Sequence, residues 1–466
     1  MPVPASQEAS SLHVVLGLGR SGCGAARLLR RRGHAVLVLE SNTGSALEQK
    51  AEALRREGIE VQLGAALEPA TFTALPDAVE RLIVSPGIRW DHPTLEALRL
   101  QGMRTDGEIS TAWEATAAVP WIGITGTNGK TTVTNLVHHL LNHSGLDAPM
   151  CGNVGHSAAE LALARLEGPQ PQWLVVELSS YQIEAAPQLA PRIGVWTTLT
   201  PDHLERHGTL DRYRAIKRGL LERAHTRILN ADDADLRSRA TSWQHAHWVT
   251  THSKPEAQAA GIEPYLWIEA DQVMRDQGAL FPANALAMPG RHNRQNMLMA
   301  AAVALEVGLQ PSSIADALRQ FPGVPHRLEQ LGRHADVPWF NDSKATNYDA
   351  AEVALQALDG PLVVLAGGEA KQGDAQGWLT ALQEKAAAVV LFGAARHHFR
   401  SLLAEAGYAG SVETVEGLDQ AVPLASRLAQ RLGCRGVLLS LACASFDQYR
   451  DFEARGDHFR TLVHSL

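Results

Sequence analysis

Apolar positions along the chain fall in short runs separated by amphipathic stretches, and the alternation repeats from one end to the other. After a polar start, His13 to Leu16 reads as a strand, a glycine-rich turn follows, Ala25 to Arg32 has helical spacing, and Val36 to Leu39 is a second strand. That is a βαβ opening. Arg81 to Ser85 is a further strand, stopped by Pro86-Gly87. An alanine-rich, proline-containing patch at Ala115 to Pro120 marks a first boundary. Trp121 to Thr125 then opens a new βα unit with a second glycine-rich turn, and strand-like runs recur at Trp173 to Val176 and Ile193 to Thr198. The helical run Asn296 to Val307 precedes Phe321-Pro-Gly-Val-Pro325, whose prolines and glycine break both helix and strand and mark a second boundary. Beyond it, apolar runs at Leu362 to Ala366, Ala388 to Phe392 and Gly436 to Leu441 again alternate with helical stretches. The pattern predicts an α/β protein of parallel sheets flanked by helices, divided into residues 1–117, 118–324 and 325–466.

Length supports that division, because 466 residues exceed what one hydrophobic core can hold. A net charge of −8 provides no global basic field for nucleic acid or an anionic membrane, so any anionic substrate must be held by local cations. Cys23, Cys151, Cys434 and Cys443 form no CxxC pair, which suggests neither a disulfide framework nor a zinc knuckle. No basic leader followed by an apolar core opens the chain, and no apolar run approaches the ~20 residues that span a bilayer. A cytoplasmic protein is expected.

Two glycine loops carry candidate chemistry. Gly17-Leu-Gly-Arg-Ser-Gly22 follows a strand, and Glu40 ends the next one, where a dinucleotide fold would place its ribose-binding acid. Taken alone this suggests an NAD-dependent oxidoreductase, yet the diphosphate of a UDP-sugar makes the same demand on a helix N-terminus. A tight turn without any ligand is the bland alternative. The second loop, Gly126-Thr-Asn-Gly-Lys-Thr-Thr132, can nest phosphate in its backbone N–H groups, with Lys130 as a point charge and Thr131 in reach of Mg²⁺. It is shorter than GxxxxGK[ST], since Ile124 stands where the first glycine would be.

That shortened GTNGKT form resembles the Mur ligases and the related folylpolyglutamate synthetases, which make amide bonds through an acyl phosphate. The resemblance to the D-glutamate-adding Mur ligases extends over Cys151–Gly155, Glu177–Glu184, Thr200–Gly208, Tyr213–Lys217, Gly290–Asn296, Pro325–Glu329, Asn341–Asn347 and Ser440–Tyr449. It implies three domains, a central P-loop-type ATPase domain between two Rossmann-like ones. It also implies ATP and two Mg²⁺ ions as cofactors, and D-glutamate and UDP-N-acetylmuramoyl-L-alanine as partners, in a monomer that takes part in peptidoglycan precursor synthesis.

By the same resemblance Lys130, Glu177, His203 and Lys217 are the expected catalytic residues, with Thr131, Glu177, His203 and Lys217 around the metal and Lys217 carrying a CO₂-derived carbamate. ATP contacts are expected from Gly126, Thr127, Asn128, Gly129, Lys130, Thr131, Thr132, Asn293, Asn296, Arg327 and Asp342. For the UDP-substrate the expected residues are Gly19, Arg20, Ser21, Glu40, Ser41, Asn42, Ser85, Gly87, Asn153, Ser179 and Gln182. For D-glutamate they are Lys344, Thr346, Lys371, Ser445, Phe446 and Phe452. Two departures stand out: Glu40-Ser41-Asn42 replaces an Asp-Thr-Arg-like run, and Leu441 stands where the family often has proline. No role is assigned to His207, His245 or His247. A folylpolyglutamate synthetase is the competing enzyme, and a catalytically dead nucleotide-binding regulator is opposed by the intact set Lys130, Glu177, His203 and Lys217.

Overall fold

The computed structural model describes residues 12–75, 78–370 and 373–466. Among them the chain forms two compact units, the first comprising the residues from Leu12 on up to Ala287 plus Arg291–Phe321, the second Met288–Gly290 and Pro322–Leu466. The first unit holds two sheets, and the second holds a six-stranded sheet and a small two-stranded one.

In the first sheet β1 (Leu12–Leu16), β2 (Ala35–Glu40), β3 (Glu60–Leu63), β4 (Val79–Val84) and β5 (Arg104–Gly107) lie in the order β3-β2-β1-β4-β5. Every neighbouring pair is parallel. β1 is buried along its whole length, which explains why it reads as an apolar run and not as an alternation. The chain leaves β1 toward β2 on one side and returns to β4 on the other, so the loops after β1 and β4 part and open a crevice at their C-terminal ends.

The second sheet consists of β6 (Trp121–Thr125), β7 (Met150–Gly152), β8 (Leu174–Glu177), β9 (Ile193–Trp196), β10 (Thr226–Asn230), β11 (His247–Thr250), β12 (Pro264–Glu269), β13 (Gln272–Arg275) and β14 (Gly278–Pro282). Their order is β14-β13-β12-β11-β10-β9-β6-β8-β7, and β6 lies parallel between β9 and β8. The second glycine loop, Glu177 and Thr197 therefore emerge side by side. The helix Arg20–Arg31 joins the two sheets of this unit. It packs on the helix Ala158–Ala164 through Gly24, where a Cβ would come within 2.6 Å of Ser157 Oγ, and its Leu28 is buried in the core of the second sheet.

In the second unit, β15 (Glu329–His334), β16 (Val337–Asp342), β17 (Leu362–Gly367), β19 (Ala386–Phe392), β20 (Ser411–Thr414) and β21 (Gly436–Ser440) are ordered β15-β16-β21-β17-β19-β20. Two short strands, β18 (Glu369–Ala370) and β22 (Cys443–Ala444), pair antiparallel past the C-terminal ends of β17 and β21. Only β15 runs antiparallel to its neighbour in the main sheet. Trp339, Trp378, Phe392, Phe399 and Phe459 fill the core of this unit. No helix among the described residues is long and apolar enough to cross a membrane.

Candidate active site

A cavity of about 600 Å³ occupies the crevice of the first sheet. Gly19, Arg20, Ser21, Glu40, Ser41, Asn42, Ser85, Gly87, Asn153 and Gln182 all line it, so one cavity gathers ten of the eleven positions expected to bind the UDP-substrate. Ser179 is not on its wall. Its hydroxyl donates to Gln182 Oε1 at 3.0 Å and accepts from Gln182 N at 3.3 Å, closing a capping box on the helix Ser180–Glu184. Leu39, Ala65, Leu67 and Phe72 supply an apolar wall that the sequence reading did not anticipate, because those residues look like ordinary core. Glu40 accepts from Leu18 N and Asn42 N, each at 2.9 Å, and from Asn42 Nδ2 at 3.0 Å. Burial pushes its pKa up, but these hydrogen bonds outweigh burial and leave it below the usual carboxylate range. The acid that suggested ribose recognition is thus also the brace of its own glycine turn.

At the end of β6, Gly129 adopts a left-handed φ of 84° as the N-cap of the helix Lys130–His143. A Cβ there would approach Asn296 Oδ1 to 2.7 Å, so glycine is required by both conformation and space. Lys130 Nζ donates to Gly126 O at 2.9 Å and Thr127 O at 2.8 Å, keeping the ammonium over the loop. Asn128 N donates to Thr198 Oγ1 at 2.9 Å. Thr131 and Thr132 are buried in the first turn of the helix. Asn293 and Asn296 lie on one face of the helix Arg291–Val307, both buried, with Asn296 Nδ2 donating to Asn293 Oδ1 at 3.4 Å. That helix begins at Arg291, so Asn293 sits inside its first turn and not at the cap.

Glu177 ends β8 with 1% exposure. Its Oε1 accepts from Asn153 Nδ2 at 2.8 Å, while the buried Oε2 has no hydrogen-bond partner among the described residues. An orphaned carboxylate oxygen is costly unless a cation or donor meets it, and it suits a hard divalent cation such as Mg²⁺. Lys217, on the helix Leu210–Arg223, is fully buried beside this corner. Its Nζ donates to Gly126 O at 3.0 Å and Thr125 Oγ1 at 3.2 Å and sits 4.6 Å above the Tyr213 ring. Tyr213 OH in turn lies 3.3 Å from Thr127 Oγ1. Burial first, and then the charge of Lys130, drive the Lys217 pKa well below its ordinary value, against the pull of Asp202 and Glu177. The amine is therefore readily deprotonated. His203 holds a left-handed φ of 54°, a strained conformation for a non-glycine residue. Its ring lies 3.5 Å from Asp202 Oδ2, 3.7 Å from Glu205 Oε1, and 5.2 Å between centroids from Tyr181.

His207, by contrast, is buried with its Nε2 2.9 Å from Ser180 Oγ, and burial lowers its pKa to about 4, as for a neutral structural ring. His247 stacks on Tyr265 with centroids 4.0 Å apart, and His245 occupies a turn with φ 56°.

In the second unit, β16 and β21 are in register, with Asp342 opposite Ser440. The turns that follow these strands are therefore neighbours. Buried Asp342 accepts from Leu328 N and from Ser440 Oγ, each at 3.1 Å. Burial lifts its pKa to about 7 although the Arg327 charge opposes the rise. Lys344 Nζ lies 5.5 Å above the Phe452 ring, Thr346 is half-buried, Ser445 is buried, and Phe446 is 70% exposed. Lys371 lies outside the described residues.

Sequence reasoning missed Arg455. This buried guanidinium donates to Ser343 Oγ at 3.0 Å, Ser343 O at 2.9 Å, Ala444 O at 2.9 Å and Cys443 O at 3.2 Å. It ties the Asn341–Asn347 turn to the Ser440–Tyr449 turn, and burial brings its pKa down to about 10. No spacing in the sequence links positions 112 residues apart.

Family models match three stretches of the chain: a Mur ligase MurD-like N-terminal domain at residues 11–107, a Mur ligase middle domain at 124–304, and a Mur ligase glutamate ligase domain at 326–439. A protein of Synechococcus sp. named UDP-N-acetylmuramoylalanine–D-glutamate ligase is 57% identical, the match covering 97% of this chain and 98% of that one. A protein of the same name from Parasynechococcus marenigrum is also 57% identical over the same shares. Among solved structures, the UDP-N-acetylmuramate-alanine ligase of Thermotoga maritima shares the fold at a TM-score of 0.59 and 19% identity, covering 98% of this chain and 99% of its own.

Proposed function

The chain belongs to the Mur ligase family, and from that premise we propose that it joins D-glutamate to UDP-N-acetylmuramoyl-L-alanine with cleavage of ATP, a step of peptidoglycan precursor synthesis in the cytoplasm. The carrying observation is that a cavity at the switch point of the first sheet opens beside the corner containing Glu177 and the ATP-type loop, with Asn153 touching both. The residues of one unit can thus hold a nucleotide-sugar and deliver its far end to a phosphoryl donor.

Lys130 and the loop N–H groups grip the phosphates while the γ-phosphoryl group passes to the alanyl carboxylate of the UDP-substrate. The amine of D-glutamate then attacks that acyl phosphate, the new C–N bond forms, and phosphate leaves through a tetrahedral intermediate. Glu177 Oε2, the Thr131 hydroxyl, His203 and Lys217 are the proposed holders of Mg²⁺, which would supply neutralisation of the negative charge gathered in the reaction. A deprotonated Lys217 amine can add to CO₂, losing its proton to give a carbamate, and this turns a repulsive ammonium into an anionic oxygen donor. Asn293, Asn296, Arg327 and Asp342 are assigned to ATP. Lys344 with Thr346, and Lys371 with Ser445, are assigned to the two carboxylates of D-glutamate, with Phe446 and Phe452 alongside. We assign a monomer.

The test is phosphate release measured against a panel of amino acids and acceptors. Release should require both D-glutamate and UDP-N-acetylmuramoyl-L-alanine. Equal turnover with L-glutamate, or with a folate acceptor, would overturn the reading, and a saturable NADH signal displaced by NAD but not by UDP would return the first loop to a dehydrogenase.

A further inference from the structure

Adjoining the UDP-type cavity is a second, much smaller chamber of about 10 Å³, the room of a single water molecule. It shares Ser85, Pro86, Ile88 and Gln182 with the larger cavity. Glu108, the first residue of the helix Glu108–Ala115, is 2% exposed and also lines the smaller chamber. Ser85 Oγ and Glu108 Oε2 are both buried without a hydrogen-bond partner among the described residues. Two orphaned polar groups on one water-sized chamber are what a single bridging water would satisfy, accepting from a carboxyl O–H and donating to the serine oxygen.

The other oxygen of Glu108 is engaged. Oε1 accepts from Ala159 N in the first turn of the helix Ala158–Ala164, so the residue braces the segment that follows Asn153. Gly107 N, immediately before it, donates to Ala185 O at 2.7 Å, and Ser110 Oγ reaches the same carbonyl at 3.3 Å. The site thus sits where the first sheet is stitched to the second.

We propose that Glu108 is a positioning residue for the UDP-substrate: across the shared chamber it orders Ser85 on the cavity wall, and it competes with the substrate diphosphate for Arg20. The inference rests on the assignment of the larger cavity to that substrate. Arg20 carries the second half of the argument, because it lines the cavity and also acts electrostatically on Glu108. One guanidinium cannot serve a buried carboxylate and an incoming diphosphate equally.

The other groups facing Glu108 are Glu160 and Ser157 at the start of the neighbouring helix, Cys151 on β7, and Tyr181 and Arg206 on the chamber wall. Burial, reinforced by Glu160, raises the Glu108 pKa to about 7 against the hydrogen bonds from Ala159 N and the Ser157 hydroxyl and the charge of Arg20. The direction follows. Binding is fully supported while Glu108 is protonated and weakens as pH rises through that value.

Calorimetric titration with UDP-N-acetylmuramoyl-L-alanine tests this, since its diphosphate is a diester and does not titrate in the range. Between about pH 6.5 and pH 8.5 the Kd should rise about fivefold in the wild type and stay flat in Glu108→Gln, whose amide keeps the acceptor for Ala159 N and cannot ionise. Repeating the wild-type titration near pH 7.5 in buffers of different ionisation enthalpy should reveal proton uptake on binding, a readout that does not depend on the variant folding. A Glu108→Gln slope parallel to the wild type, or no proton uptake by the wild type, overturns the inference while leaving the cavity assignment intact. Absence of saturable binding at any pH overturns both.

Discussion

At the residue scale the chemistry converges on two lysines held in different ways. Lys130 is fastened to the carbonyls of its own loop, whereas Lys217 is buried against the same loop from another helix. Lys130→Ala should abolish turnover yet leave the Kd of the UDP-substrate within about twofold, because removing a phosphate contact acts on the transferring group and not on the uridine end. Parallel loss of both by titration would count against separate phosphate and uridine contacts. Lys217→Ala should lose most activity, and acetate at high concentration should restore part of it by filling the anionic position of the carbamate. An unmodified amine observed in the active, Mg²⁺-loaded enzyme by mass-resolved or ¹³C-labelled CO₂ measurements would refute the carbamate.

Elements set where these residues stand. The helix Arg20–Arg31 begins at the cavity and crosses the helix Ala158–Ala164 closely enough that Gly24 has Ser157 Oγ as its neighbour. Gly24→Val should force the two helices apart, at a cost of about 1–3 kcal/mol from overpacking, and raise the KM for the UDP-substrate more than that for D-glutamate. An unchanged melting temperature would show that the crossing yields easily. In the second unit Arg455 holds together the two turns that leave the paired strands β16 and β21. Arg455→Met leaves the carbonyls of Ser343, Cys443 and Ala444 without their donor and should destabilise that unit by about 3 kcal/mol. Steady-state kinetics should show the KM for D-glutamate rising with it, and a normal KM would confine Arg455 to stability.

At the scale of the whole molecule, the break at Phe321/Pro322 separates a unit with its own sheet and its own aromatic core. A core that is closed within one segment should not need the rest of the chain. Residues 322–466 expressed alone should therefore give a single cooperative thermal transition by circular dichroism, whereas a broad, non-cooperative melt would mean that the core needs the rest of the chain. Net charge of −8 is unremarkable at this scale, since cations placed one at a time at Arg20, Lys130 and Lys344 face the sites where anions are expected.

The sequence alone determined the α/β class and the strands that carry the motifs, and the family resemblance added ten of the positions that line the cavity of the first sheet. Class and strands are local properties: buried parallel strands are continuous apolar runs, and a glycine loop between strand and helix is legible within ten residues. The family resemblance extended that reading to side-chain roles. What the tertiary structure decided was pairing across distance. That Glu40 braces its own glycine turn, that Ser179 caps a helix away from the cavity wall, and that Glu108 shares a chamber with Ser85 depend on which loops the sheet order makes neighbours. Arg455 is the clearest case, for a buried cation is stabilised by carbonyls supplied from two distant turns. Burial likewise, and not residue type, makes the Lys217 amine easy to deprotonate, because desolvation is a property of the packed surroundings that no side chain carries in its own sequence position.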